Sequence, residues 1–139
     1  MKQIPSIKTM MTPFPHSIES GERMEKAVAM VADYGIGHLP VTEKGELIGV
    51  IAAEDLASSS KRKSGKKTVK QAALREAYVV ELTEPLDVVL LRMAKTEVDC
   101  ALVVKDERLV GIFTRSDACR CFGYLLRTLF PRGHDDDAA

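Results

Sequence analysis

The sequence predicts a mixed α/β (α+β) fold made of two tandem repeats, each running strand, helix, strand, strand, helix. Three observations predict it. Residues 6–55 align with 68–117 without a gap, an offset of 62 residues. One apolar helix face recurs at that offset. A pair of short apolar runs around a polar turn follows each helix. Self-similarity at a fixed period marks a chain built from repeated supersecondary units.

Each repeat opens on a short strand, Ser17–Glu19 in the first and Tyr78–Leu82 in the second. A helix follows. Met24, Ala27, Val28, Val31 and Ala32 fall at i, i+3, i+4, i+7 and i+8, and Leu86, Val89, Leu90, Met93 and Ala94 repeat that spacing. Such spacing lines one face of an α-helix. The strand pairs are HLPVT and LIGVIA around EKGE, then CALVV and LVGIFT around KDER. Short β-branched runs around a polar turn read as hairpins. EDLA and SDACRCFGYLLRTLF then supply the last helix of each repeat.

The repeats are placed at 6–57 and 68–130. Between them SSSKRKSGKK, 58–67, is a basic segment too poor in apolar residues to order itself, and it reads as a flexible linker. The acidic tail 131–139 begins at Pro131 and reads as disordered. The alternative for the linker is an anion-binding strap.

Composition is that of a soluble globular chain, 45% hydrophobic and 29% charged over 139 residues. The formal net charge is zero, which gives no general pull toward nucleic acid or membranes. No apolar run approaches a membrane span, and MKQIPSIKTMMTPFP has no secretory apolar core. A cytoplasmic location is expected. Three cysteines argue against a disulfide framework, and Cys119 and Cys121 lack the second pair a metal site needs. His16, His38 and His134 are scattered, and neither a P-loop nor a nucleophile elbow is present. No catalytic residue, metal ligand or required cofactor is expected, and the chain does not read as an enzyme.

One heptad occurs twice with a telling change. Residues 111–117 read GIFTRSD, and 49–55 read GVIAAED. Thr114-Arg-Ser-Asp117 fits a helix capping box at a strand-to-helix junction. The same geometry suits a ligand. A helix N-terminus offers free N–H groups and partial positive charge to a phosphate. A hydroxyl there donates to a phosphate oxygen, and a carboxylate one turn in accepts both hydroxyls of a ribose. The two roles are compatible.

Two strand-helix-strand-strand-helix copies, GIGHLPV before the turn and G-h-h-T-x-x-D after it, resemble a pair of CBS domains, the tandem unit called a Bateman module. MTPFP at 11–15 resembles the lead-in of many bacterial members, and the whole chain resembles the small stand-alone bacterial type. The resemblance covers about 6–128. It implies sheet-to-sheet packing around a pseudo-twofold axis and two clefts that bind adenine nucleotides or adenosyl compounds. It implies a regulatory or sensor module, with AMP or ADP the leading ligand, and ATP or S-adenosylmethionine as alternatives. Thr114 and Asp117 would hold phosphate and ribose. Their cleft would include Ile112, Ser6, Thr9, Met11, Ile36, Gly37 and His38. Cys100 stands where some members place a basic phosphate ligand.

The other cleft would use Ala52 and Asp55 with Thr68, Gln71, Ala73, Val98 and Asp99. Without a hydroxyl at Ala52, and with an acid at Asp99, it is expected to be weaker or selective for a less charged ligand. Apolar residues at Leu125, Leu126, Leu129 and Phe130 suggest a homodimer through the terminal helices, or a ligand-free assembly module. Any output would pass to a separate effector protein. A nucleic-acid role for Lys61–Lys67 is the third and weakest reading.

Overall fold

The structure is a computed structural model, and it describes residues 3–60, 67–72 and 74–133, with 57–60 as backbone. A short 3-10 turn at Ile7–Thr9 leads to strand β1, Thr12–Pro13. The first repeat then runs β2 (Ile18–Glu19), α1 (Met24–Tyr34), β3 (His38–Glu43), β4 (Glu46–Ala52) and α2 (Ala53–Ser60). A four-residue helix α3 (Val69–Ala72) leads to β5 (Val79–Glu81), α4 (Leu86–Thr96), β6 (Cys100–Lys105), β7 (Arg108–Thr114) and α5 (Arg115–Leu129). The mixed α/β class and both hairpins follow the sequence pattern, and α1 and α4 occupy the same 11 positions shifted by 62. Helix α2 extends to Ser60, so the first serines of the basic segment are helical. Residues 61–66 of that segment, and 134–139 of the acidic tail, lie outside the described residues.

The hairpin turns explain the polar tetrads. Lys44 and Gly45 both have positive φ, 52° and 83°, as do Asp106 and Glu107, 52° and 65°. Two left-handed residues make the turn whose twist matches paired strands. Each hairpin carries a register irregularity at the same place, Val41/Thr42 and Val103/Val104.

The sheets are β2-β3-β4 and β1-β7-β6-β5. Each packs its helices on one face. Ile18, Met24, Ala27, Leu39, Val41 and Ile51 form the first core. Val80, Leu86, Val89, Ala101, Val103 and Phe113, their counterparts, form the second. Leu39 pairs across the hairpin with Ile51, and Ala101 pairs with Phe113. The small-with-large exchange keeps the summed volume similar, the kind of change cores tolerate. The opposite sheet faces meet through Val50, Cys100, Leu102 and Ile112, flanked by Leu47 and Leu109. This is the sheet-to-sheet packing the repeats call for.

The lead-ins are exchanged. Ile7 is fully buried in the core of the second repeat, and Val69 is fully buried in that of the first. Backbone bonds secure both: Ile7 N–H to Glu84 O at 2.8 Å and Val69 N–H to Glu22 O at 2.8 Å. Leu86 N–H to Pro5 O at 2.9 Å and Met24 N–H to Lys67 O at 3.2 Å complete the symmetric set. Strand β1 pairs with β7, so the first lead-in also extends the second sheet. The heptad glycines permit this crossing. A Cβ at Gly111 would lie 2.9 Å from Met11 Cγ, and one at Gly49 would lie 2.7 Å from the Arg75 carbonyl oxygen.

Ile7→Ala therefore empties a slot in a repeat to which residue 7 does not belong in sequence. It is expected to cost about 2–5 kcal/mol of global stability. A urea titration followed by circular dichroism should show that loss; a change under 0.5 kcal/mol would be about what a surface substitution gives and would contradict the exchange.

Candidate functional site

Two clefts open where the repeats meet, and the 62-residue offset converts much of one lining into the other. The first, about 280 Å³, is lined by Ile36, Gly37, His38, Ile112, Thr114 and Asp117, together with Thr12, Pro15 and His16. The second, about 170 Å³, has Val98, Asp99, Cys100, Val50 and Ala52 in the places of Ile36, Gly37, His38, Ile112 and Thr114. Tyr78 there matches His16. The loops before β3 and β6 are tied to the following helices by Ala53 N–H to Gly37 O and Arg115 N–H to Asp99 O, both 2.9 Å. That tie brings the GIGHLPV segment and the helix N-termini to the clefts.

In the first cleft, Thr114 is the N-cap of α5. The Asp117 N–H donates to Thr114 Oγ1 at 3.2 Å, and the Thr114 N–H donates to Asp117 Oδ2 at 2.8 Å. The Thr114 hydroxyl also reaches Oδ2, at 3.0 Å. This is a reciprocal capping box, and such caps contribute about 1 kcal/mol. Arg120 donates to Asp117 Oδ1 at 2.9 Å. The capping reading of T-x-x-D holds, and Thr114 and Asp117 still line the cleft beside the apolar Ile36 and Ile112. His16 stacks on Tyr34, with ring centroids 3.8 Å apart.

Ser6, Thr9 and Met11 are not among the residues that line this cleft. Ser6 bridges to Pro85, and its carbonyl accepts the Thr9 hydroxyl at 2.8 Å. Thr9 borders a separate groove along α5 with Arg120 and Tyr124. Met11 packs against Gly111. The residues that do line the cleft from the lead-in, Thr12, Pro15 and His16, follow directly after them. Strand β1 is only two residues long, and no periodicity announces it.

His38 borders both clefts. Its Nε2 lies 3.8 Å from Asp99 Oδ2. Burial lowers its pKa below the ordinary 6.5, and the nearby Asp99 carboxylate only partly offsets this. Its counterpart Cys100 lies in the second cleft, where burial pushes the thiol up to about 11.

Asp55, the counterpart of Asp117, is not among the residues that line the second cleft, which has Arg75 there instead. Arg75, which the sequence reading missed, grips Asp55 with a two-pronged ion pair, Nε to Oδ2 at 2.5 Å and Nη2 to Oδ1 at 2.7 Å. Nη2 also reaches Glu54 at 3.2 Å. Asp99 pairs with Arg115 at 2.6 Å. Thr68 and Gln71 cap each other at the start of α3 and do not line the cleft. Ala73 lies outside the described residues. Among the described residues no cluster of His, Cys, Asp or Glu is arranged to hold a metal, and no helix is long and apolar enough to cross a membrane.

Comparison with known proteins places these features in context. The sequence profile of the CBS domain matches residues 7–62 and 69–123. An L-aspartate semialdehyde sulfurtransferase of Methanocaldococcus jannaschii is 31% identical over 119 residues, 84% of this chain but 23% of that protein. The chain thus spans about a quarter of that relative's length. The crystallised CBS domain pair of protein MJ0100, in complex with 5′-methylthioadenosine and S-adenosyl-L-methionine, is 30% identical. It superposes with a TM-score of 0.78 over 88% of this chain and 99% of that one. CBSX2, crystallised with AMP, is 23% identical with a TM-score of 0.76, over 88% of this chain and 99% of its own, a likeness of fold.

His38 gives the site a pH signature. With its folded-state pKa lowered, the folded protein binds fewer protons than the unfolded chain just below pH 6.5, so stability falls as pH drops through that region. Urea midpoints measured from pH 7.5 to pH 5 should show this fall, and His38→Gln should flatten it. An unchanged slope in the variant would assign the fall to other groups.

Proposed function

The chain belongs to the CBS domain family, and on that footing we propose that it is a regulatory module that binds one adenine nucleotide or adenosyl ligand in the first cleft. The observation that carries this reading is the meeting of Thr114 and Asp117, from the second repeat, with Ile36, Gly37 and His38, from the first, around one cavity. Each side chain has a chemical task there. Ile36 and Ile112 offer apolar faces to a purine, and Gly37 leaves its edge open. Asp117 accepts the ribose hydroxyls, sharing its carboxylate with Arg120. The N-terminus of α5 and the Thr114 hydroxyl meet a phosphate or a polar 5′ group. AMP and ADP suit this set best, because a phosphate gains from both the helix end and the hydroxyl. A related CBS pair crystallised with 5′-methylthioadenosine and S-adenosyl-L-methionine supports the adenosyl class. In this reading the chain performs no catalysis itself and passes its signal to an effector protein.

A homodimer is a second part of the proposal, favoured by one observation. Helix α5 has no buried residue, yet with its C-cap it exposes Phe122, Tyr124, Leu125, Leu126, Leu129 and Phe130 by 40–70%. A contiguous apolar face of this extent marks an interaction surface. A second copy offering the same face would cover it with closed twofold symmetry.

Calorimetry with AMP, ADP, ATP and S-adenosylmethionine tests the ligand reading. One of them should bind below millimolar, and Asp117→Ala should weaken it about ten-fold or more, the loss of a hydrogen bond to a charged group. Thr114→Asn keeps a good N-cap but removes the hydroxyl. It should lower affinity for a phosphate-bearing ligand while leaving thermal stability nearly unchanged. No binding by any of the four would end the proposal. For the dimer, sedimentation equilibrium should give twice the chain mass, reduced to one by Phe122→Glu with Leu129→Glu; a monomeric parent protein would refute it.

A further inference from the structure

The repeat symmetry that relates the clefts carries unlike chemistry at one position. Thr12, in β1, pairs with Ile112 of β7. Its counterpart Arg75 is bolted to β4 by two backbone bonds, Arg75 N–H to Val50 O at 2.9 Å and Val50 N–H to Arg75 O at 3.1 Å. With its backbone fixed there, the guanidinium spans to the start of α2. Its two prongs engage both oxygens of Asp55, and Nη2 adds Glu54. Asp55 is the counterpart of Asp117, the group assigned above to the ribose.

We propose that Arg75 is a specificity-determining residue that withholds Asp55 from ligands, so that the chain presents one receptive adenosyl cleft and one held shut by its own side chain. The inference rests on the ribose role given to Asp117. Three features agree with it. The planar fork matches a carboxylate on both prongs, a pairing more ordered than a single-point contact. A ribose diol would meet Arg75 on both oxygens of Asp55, whereas Arg120 holds Asp117 by one nitrogen on Oδ1 alone. The cleft is also the smaller of the two, at about 170 Å³.

The charges around Arg75 set the ligand class that its removal would admit. Glu76, Glu97 and Asp99 line this cleft, against Arg115, which is already paired with Asp99. A phosphate would be repelled by this acidic wall, and Ala52 offers it no hydroxyl. The matching ligand is an uncharged adenosine nucleoside, for which 5′-methylthioadenosine serves as the probe.

The test uses the full chain in an Asp117→Ala background, which disables the first cleft. Calorimetry with 5′-methylthioadenosine should show binding at least ten-fold tighter in Asp117→Ala/Arg75→Ala than in Asp117→Ala alone, with one equivalent bound. Arg75→Met, which keeps the apolar stem, should give the same gain and guards against a folding defect in the alanine variant. Neither variant gaining affinity would overturn the proposal. So would weaker AMP binding to the second cleft on loss of Arg75, because Arg75 would then be a phosphate ligand. Two equivalents bound by the parent protein would overturn it as well. The ribose reading fails separately, if Asp117→Ala leaves the affinity of the first cleft unchanged.

Discussion

The structure depends on a trade of two short arms. Ile7 completes the core of the repeat it does not precede, and Val69 does the same in return. Four backbone hydrogen bonds at matching positions hold the arms in place. Without them each half would keep an open apolar slot in its core. With them, the sheets are pinned face to face, and the inter-sheet contact of Val50, Leu102 and Ile112 fills. Each cleft draws its helix N-terminus from one repeat and its loop from the other.

Equal backbones leave the side chains free to differ. Thr114 and Ala52, Gly37 and Asp99, Thr12 and Arg75 occupy matching places with unlike chemistry. Loss of the hydroxyl from threonine to alanine removes a donor, and adding an acid weakens the attraction for an anion. The cation that follows goes to the neighbouring carboxylate. His38 borders both sites, so a change in its charge is felt on both sides of the junction. One scaffold thereby holds two electrostatically distinct surfaces a side chain apart.

Much of the fold was legible because its elements are periodic. The i, i+3, i+4 faces of α1 and α4 locate both helices, and the β-branched runs around Lys44-Gly45 and Asp106-Glu107 locate both hairpins. The Thr114–Asp117 box was visible as a local motif because capping acts within four residues. The arm exchange was not legible, since a lone Ile7 or Val69 carries no sign of which core it enters. Strand β1 has two residues, too few for alternation to show. Arg75 belongs to no local motif; only its placement opposite Asp55 gives it a role. The gapless offset hides its place, for it sets Arg75 against Pro13, whereas the strand pairing puts it in the position of Thr12. Ser6, Thr9 and Met11, assigned by resemblance, sit just upstream of the lead-in residues that reach the first cleft.

The exchanged arms also bear on ancestry. A chain with only one repeat and its lead-in could fill its core only by lending that arm to an identical copy and borrowing the copy's own. The product is a closed pair with two equivalent clefts, bound by symmetry to change together. Joining the copies in one polypeptide keeps every contact and abolishes that bond. Each cleft can then vary alone, and a threonine on one side can match an arginine on the other.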